Sequence, residues 1–446
     1  MTELPARHWL LGDARAFAAR THIFPWLVAQ KGGGLGVFRV LHRKIYATCD
    51  AGVAHHVLVT GRDIWGRGPQ ARNFKIIVGD SLLTSEGPLW KARHEAVRPL
   101  LRRSSMEARV PAIQRRVAER LDDWAVRTRE GTPLSLVPET QRLAMEIMAE
   151  QLLSTELEPG FTASFGAAIR DGLLLLRERN TSILRLPHWV PTARHRRLAA
   201  CRREIDAFVG GCVDARLAAP GGSDILAGLM AARTEAAAPL DRAALIAEAK
   251  TLFVTGFETA ATTLTWTLFL LAQHPQVADK WRTELDAVLG GRAPVWSDLP
   301  KLTYTSQILN ESMRLYPAVY LVARRSVAAD EIAGQHIPRG AIMLISIYGL
   351  HRDPVFGSDI EVFRPERFAS DADWPRRSFM PFGAGEHVCL GSHFATTELM
   401  LSLAMIGQRF SLARADDDAV DAAARITLTP TRDIFVTLEP RRCAVS

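Results

Sequence analysis

Phe382-Gly383-Ala384-Gly385-Glu386-His387-Val388-Cys389-Leu390-Gly391 places an aromatic residue, three glycines and one cysteine within ten positions. Glycine lets the backbone approach a flat ligand closely and reach conformations closed to other residues. A long apolar-periodic run follows, over about 390–408, so Cys389 stands just before a helix N-terminus. There the helix dipole and its free N–H groups stabilise a thiolate, and Phe382 can shield the sulfur from water. The plain alternative is a turn ahead of a helix with a buried structural cysteine, the better reading for a cysteine in isolation.

Moving outward, Glu311 and Arg314 lie at i, i+3 on a helix expected from Leu302 to Tyr316 and stopped by Pro317. Alone they are an ordinary exposed pair. Strand-like pieces at 320–327 and 341–347 come next, then a Pro- and Phe-rich loop over 353–389 containing Phe363-Arg364-Pro365-Glu366-Arg367-Phe368. Upstream, Asp241 can cap an apolar pattern that runs to His274-Pro275, roughly 48 Å of helix. Its interior glycine, Gly256, is followed by Phe257, Glu258 and Thr259. A threonine bonded back to its own helix is the plain reading. Taken as a group, Gly256 lets the helix pass close to a ligand, Thr259 offers a hydroxyl and Glu258 can relay protons.

Residues 36–48 suggest two strands around a turn, and 51–60 a short helix. Residues 62–84, with Gly66, Gly68, Pro69, Asn73 and Gly79, are expected to be loop. From Gly87-Pro88 the chain is expected to be helical to about 220, with breaks near Pro111, Gly131-Thr132-Pro133, Pro159-Gly160 and Pro187 to Pro191. Strand-like residues 425–438 close it. With no repeat or linker, residues 1–446 form one domain, mainly α with a minor β portion at about 30–60, 320–350 and 425–438.

A chain of 446 residues, 48% of them hydrophobic, can bury a large core. The charge of +7 suits acidic partners, but no basic run is interleaved with aromatics, which argues against nucleic acid. The five cysteines (Cys49, Cys201, Cys212, Cys389, Cys443) show no C-x-x-C spacing, which suits a reducing, cytoplasmic compartment. Met1–Leu11 has no apolar core long enough for secretion. Leu252–Ala272 is apolar enough to resemble a membrane span, but Glu258 inside it argues for a buried core helix and no membrane span.

Together these segments resemble the cytochrome P-450 family over nearly the whole chain. The cysteine segment follows the pattern F-x-x-G-x-R-x-C-x-G, with His387 where most members carry arginine. Glu311-Ser312-Met313-Arg314 resembles the E-x-x-R helix, and Pro365-Glu366-Arg367-Phe368 the P-E-R-F segment. Thr255-Gly256-Phe257-Glu258-Thr259 resembles A-G-x-[D/E]-T, with Thr255 in place of alanine. The resemblance implies a helical prism with a small sheet portion and haem b (iron protoporphyrin IX), its iron bound by Cys389. A thiolate there pushes electron density towards bound oxygen. Glu311, Arg314 and Arg367 would form a buried network holding the cysteine loop. Thr259 and Glu258 would be catalytic. Trp90, His94, His387 and Arg324 (or its neighbour Arg325) would hold the haem propionates, and Phe382, Gly385 and Gly256 would border the cofactor. Thr255 would either narrow the oxygen pocket or touch substrate.

The implied activity is insertion of one atom of O2 into a C–H bond of a lipophilic small molecule such as a fatty acid, terpenoid or secondary metabolite. No reductase segment follows the last strands, so electrons are expected from a ferredoxin or flavodoxin-type donor with its reductase. Arg93, Arg98, Arg102, Arg103, Arg115 and Arg116 are candidates for its docking face. Substrate contacts are expected from 62–84, 165–195, Thr255, 318–322 and 429–431, with Phe74, Ile76, Ile77, Leu173 to Leu176, Val319, Leu321 and Val322 giving an apolar pocket. Competing readings on the same fold are a peroxygenase, or an isomerase or dehydratase. A haem-binding sensor without turnover, or a haem-free helical binding protein, are readings of other classes. The Glu258–Thr259 pair favours O2 chemistry.

Overall fold

The computed structural model describes residues 11–129, 131–181, 190, 192–232, 239–369 and 377–441. Cys443, the residues before Leu11, the break expected near Pro187 and Pro191, and part of the 165–195 region lie outside them.

One helix organises the rest. Arg242–Gln273 runs unbroken for 32 residues, and the Asp241 carboxylate caps it by accepting from the Ala244 N–H at 2.8 Å. Most of its length is buried on every side, so the apolar run at Leu252–Ala272 is the centre of a helical core. No helix of the described residues is long and apolar enough to cross a membrane. The helix Leu136–Leu153 lies along it so closely that a Cβ on Gly256 would come within 2.8 Å of Met148 Sδ. Side chains fasten the contact: Thr140 and Thr265 hydroxyls meet at 2.6 Å. Trp266 stacks on Tyr316 with centroids 3.8 Å apart and donates its indole N–H to Leu428 C=O at 2.6 Å.

A five-stranded sheet flanks the helices, in the order Leu35–Val40, Arg43–Thr48, Ile342–Ser346, Leu321–Ser326, Trp65–Arg67. The pairing of Arg43–Thr48 with Ile342–Ser346 is parallel and the other pairings are antiparallel. A three-stranded sheet of Leu134–Ser135, Phe435–Pro440 and Phe410–Arg414 closes the far side. The mainly α architecture with a minor β portion is as expected. Residues 62–84 are not all loop: Trp65–Arg67 is a strand and Pro69–Val78 a helix. Pro69 occupies the first helical position, and Gly79, at φ +84°, ends the helix. The residues that suggested irregular structure are the start and stop marks of a ten-residue helix.

The cysteine segment hangs on buried polar contacts. On the helix Thr303–Leu315, Glu311 and Arg314 are both fully buried. Arg314 donates to both carboxylate oxygens of Glu311, at 2.7 and 2.8 Å, and its third contact is His351 C=O at 3.0 Å. Arg367 Nε donates to Glu311 at 3.3 Å, and the Arg364 backbone N–H does so at 3.0 Å. The rest of the Arg367 guanidinium is taken by the carbonyls of Phe356 and Asp359 and by the Asp359 carboxylate. His351 completes the path: its Nδ1–H donates to Met313 C=O at 3.2 Å and its Nε2 accepts from the Met380 N–H at 3.1 Å. Burial lowers its pKa to about 3, so the ring stays neutral and can serve as donor and acceptor at once. Sequence reading did not single out His351, although the polar run His351-Arg352-Asp353-Pro354 after an apolar strand was a signal.

Replacing Glu311 by Gln strands two buried guanidinium groups. The expected cost is about 3–5 kcal/mol of unfolding free energy, measured by urea denaturation of the purified protein. A loss below about 1 kcal/mol, the range of an exposed pair, would show that the network is not a support.

Candidate functional site

A cavity of about 650 Å³ lies between the cysteine segment and the central helix. Cys389 lines it, as do Phe382 and His387 from the same segment, Thr255, Gly256, Glu258 and Thr259 from the central helix, Trp90 and His94 from the helix Gly87–Val97, and Arg324 from the sheet. The expected site residues thus converge on one space, with one exception.

That exception is Gly385, which does not line the cavity. It sits at φ +77°, and a Cβ there would fall 1.9 Å from Leu58 C=O. Its lack of a side chain makes room for the backbone of the single π-helical turn His56–Thr60. Gly256 lines the cavity, but its missing Cβ answers to Met148 on the neighbouring helix. Both glycines serve the packing of protein against protein.

The loop turns back on itself before its helix, Ser392–Arg409, begins. Cys389 N–H donates to Phe382 C=O at 3.0 Å, and Gly383 takes φ +74°. The sulfur sits deep in the molecule with its exposed surface facing the cavity. Burial pushes the thiol pKa up and a Gly391 backbone N–H opposes it. A cation bound at the sulfur would favour the thiolate against that burial.

On the central helix, Thr259 Oγ1 donates to Thr255 C=O at 2.8 Å, and Thr255 Oγ1 to Thr251 C=O at 2.7 Å. Each hydroxyl keeps its lone pairs for a further donor. Glu258 is buried. Its Oε1 accepts from Thr427 at 3.2 Å and its Oε2 has no partner among the described residues. Burial raises its pKa, opposed by the Thr427 hydroxyl and then by Arg170 and Arg425. The same carboxylate borders a second cavity of about 380 Å³, lined among others by Gln141, Arg170, Arg425 and Arg432. It thus borders both cavities.

At the other end, basic groups gather. Arg324 is buried and lines the cavity, whereas Arg325 is exposed, so of the two candidates Arg324 faces the space. Trp90 and His94 rings lie 4.9 Å apart, and Trp90 meets His387 edge-on at 4.7 Å. Burial, then Arg67, Arg324 and His94, lower the His387 pKa to about 3, leaving the ring neutral. No local signal in 62–84 points to Arg67, because a loop reading of this stretch leaves its strand unseen. Arg67 is the strand partner of Arg324 in the sheet register.

Three other expectations are corrected. Arg93 faces inward, 3.5 Å from the fully buried Glu248, whose carboxylate also accepts from the Leu82 N–H at 2.9 Å. Arg115 and Arg116 are paired with Glu150, and Arg116 also with Glu119 and Glu156. Of the six arginines suggested for docking, Arg98, Arg102 and Arg103 are exposed and have no such pairing among the described residues. Of the expected pocket residues, Phe74, Leu173, Val319, Leu321 and Val322 line the cavity, while Ile77, Leu175 and Leu176 are core.

Haem fits this arrangement. Like charges opposite one another on paired strands repel, so Arg67 beside Arg324 calls for an anion, which two propionates supply. A soft sulfur ligand opens onto the same space. Among the described residues no His, Cys, Asp and Glu cluster could hold a metal ion by itself.

Comparison with known proteins agrees with the geometry. The chain is 28% identical to cyclooctatin synthase of Streptomyces melanosporofaciens, over 89% of this chain and 87% of that one. It is 28% identical to cyclooctat-9-en-7-ol 5-monooxygenase of the same organism, over 85% and 83%. It is 26% identical to pentalenene oxygenase of Streptomyces avermitilis, over 92% and 91%. The profile of the family described as cytochrome P450 matches residues 3–437. By its fold, its cysteine loop and that match, the chain belongs to the cytochrome P450 family, whose members carry a haem-iron cofactor.

Proposed function

We propose that this chain is a haem-dependent monooxygenase that hydroxylates a terpenoid hydrocarbon or a similarly apolar small molecule. One observation carries the reading: Cys389 and the Gly256–Glu258–Thr259 group border one cavity whose remaining walls are largely apolar. Three relatives named as enzymes of cyclooctatin and pentalenene oxidation support the terpenoid class. When bound, the haem supplies O2 activation: substrate R–H, O2, two electrons and two protons become R–OH and water.

The protein's own part in this is positional and protonic. Cys389 would ligate the iron, and Trp90, His94, His387 and Arg324 would hold the propionate edge. Phe74, Leu173, Val319 and Leu321 would desolvate and orient the substrate. Thr259 Oγ, its hydrogen spent on Thr255 C=O, would accept a hydrogen bond from a water and pass a proton inward after rotating. Glu258, which borders both cavities and whose Oε2 has no partner among the described residues, would take protons from the smaller cavity and release them into the larger one. Electrons would come from a separate acidic donor, of ferredoxin or flavodoxin type, meeting the exposed Arg98, Arg102 and Arg103.

Three outcomes are expected. The dithionite-reduced carbon monoxide complex should show the long-wavelength Soret band of thiolate ligation, and C389A should lack it. If C389A keeps the band, another ligand holds the iron. Thr259→Ala should uncouple the enzyme, with peroxide rising at the expense of product while NAD(P)H use continues. Unchanged coupling would remove Thr259 from proton delivery. Charge reversal at Arg102 and Arg103 should slow reduction by an acidic ferredoxin about tenfold at low salt, and the difference should vanish at high salt. Equal rates at low salt would exclude this face.

A further inference from the structure

The cysteine segment carries His387 where a residue with a guanidinium group would be expected from the resemblance. An imidazole offers at most two N–H donors, whereas a guanidinium offers five in a fork and a permanent charge. The propionate corner would therefore be short of one forked cation, unless another element supplies it.

Arg67 stands at that place. It belongs to the strand Trp65–Arg67, two residues before the helix Pro69–Val78, and it lines the cavity beside His387. Its Nη2 lies 3.3 Å from His387 Nδ1, so the guanidinium donates to the very ring that replaces the arginine. Its Nε donates to Ser85 C=O at 2.9 Å and its Nη2 also to Leu82 C=O at 2.8 Å. These contacts fix the plane of the group. They leave both hydrogens of Nη1 without a hydrogen-bond partner among the described residues.

The charge balance points the same way. Register sets Arg67 opposite Arg324, two cations on adjacent strands facing one cavity. The nearby carboxylates do not neutralise them by direct pairing. Glu86 Oε1 accepts from the Arg67 backbone N–H at 2.5 Å, and Glu386 is exposed and lies 3.4 Å from His387 Nε2. Holding two guanidinium groups at one buried wall is unfavourable unless an anion joins them.

We infer that Arg67 is a haem-propionate ligand that takes over the role of the arginine absent at position 387, with His387 acting as the spacer that aims it. The inference rests on haem binding, which the carbon monoxide spectrum tests separately. It makes His387 and Arg67 a matched pair: a histidine at 387 is tolerated because the cation arrives from the sheet.

The test is haem release from the full-length loaded protein to an excess of apomyoglobin, read by the Soret change, with near-ultraviolet and Soret circular dichroism of the bound haem as a second signature. Arg67→Gln is expected to release haem on the order of tenfold faster and to alter the Soret dichroism, as loss of a charge-assisted hydrogen bond predicts. Arg67→Lys keeps the charge without the fork and should fall between the two. The double variant R67Q/H387R should return release to near the wild-type rate. Mere loosening of the Leu82–Ser85 loop would not be repaired by an arginine at 387, so this rescue separates the two roles. Wild-type release and dichroism in Arg67→Gln, or a double variant no better than the single one, would overturn the inference.

Discussion

A loop whose regular structure is a single 3-10 turn, Gly385–His387, must present one sulfur atom to a cavity in a fixed direction, and the protein meets this demand with buried hydrogen bonds. Cys389 is held by its own N–H on Phe382 C=O. Gly385 is pressed against Leu58 C=O, and Met380, at the root of the loop, donates to His351. His351 in turn rests on Met313 and on the Arg314–Glu311–Arg367 network. The path leads from the loop to the helix Thr303–Leu315 with no surface contact to relax. A network of this kind adds little net stability compared with apolar packing, but it permits one arrangement only.

The cavity itself is polarised along its length. Basic groups crowd one end, where Arg67 and Arg324 share a strand register. At the other, the carboxylate of Glu258 also borders a second, smaller cavity. Burial keeps His387 neutral and pushes the Glu258 carboxyl towards its protonated form. Both shifts have the same cause: desolvation disfavours whichever form is charged. The outcome is a neutral ring beside Arg67 and Arg324, and a buried carboxyl that holds its proton more tightly than an exposed one would.

Much of this was visible along the chain. Period and caps marked the long helix and both of its ends, because Asp241 and His274-Pro275 act locally. The strands at 35–48, 321–326 and 342–346 lie where their β-branched and apolar residues suggested. Local signals do not decide 62–84, since glycine and proline fit a loop as well as the ends of a helix, and the place of Arg67 depends on the strand that forms there. Nor do local signals place Arg93, Arg115 and Arg116, since an arginine on a helix looks solvent-exposed until its partner on another element is known. Glu248, Glu150 and Glu156 lie 34 or more residues away from the arginines they meet.

By itself, then, the sequence determined which elements form and which residue types the chemistry has at hand, since helix periodicity, capping and glycine conformations are short-range effects. Only the tertiary structure decided what those residues face. It turned two motif glycines towards protein neighbours, made His351 a link between a helix and the cysteine loop, and brought a strand arginine to the ring of His387. Burial and pairing depend on contacts between segments far apart in the chain, and those are made when the helices and the sheet close around the cavity.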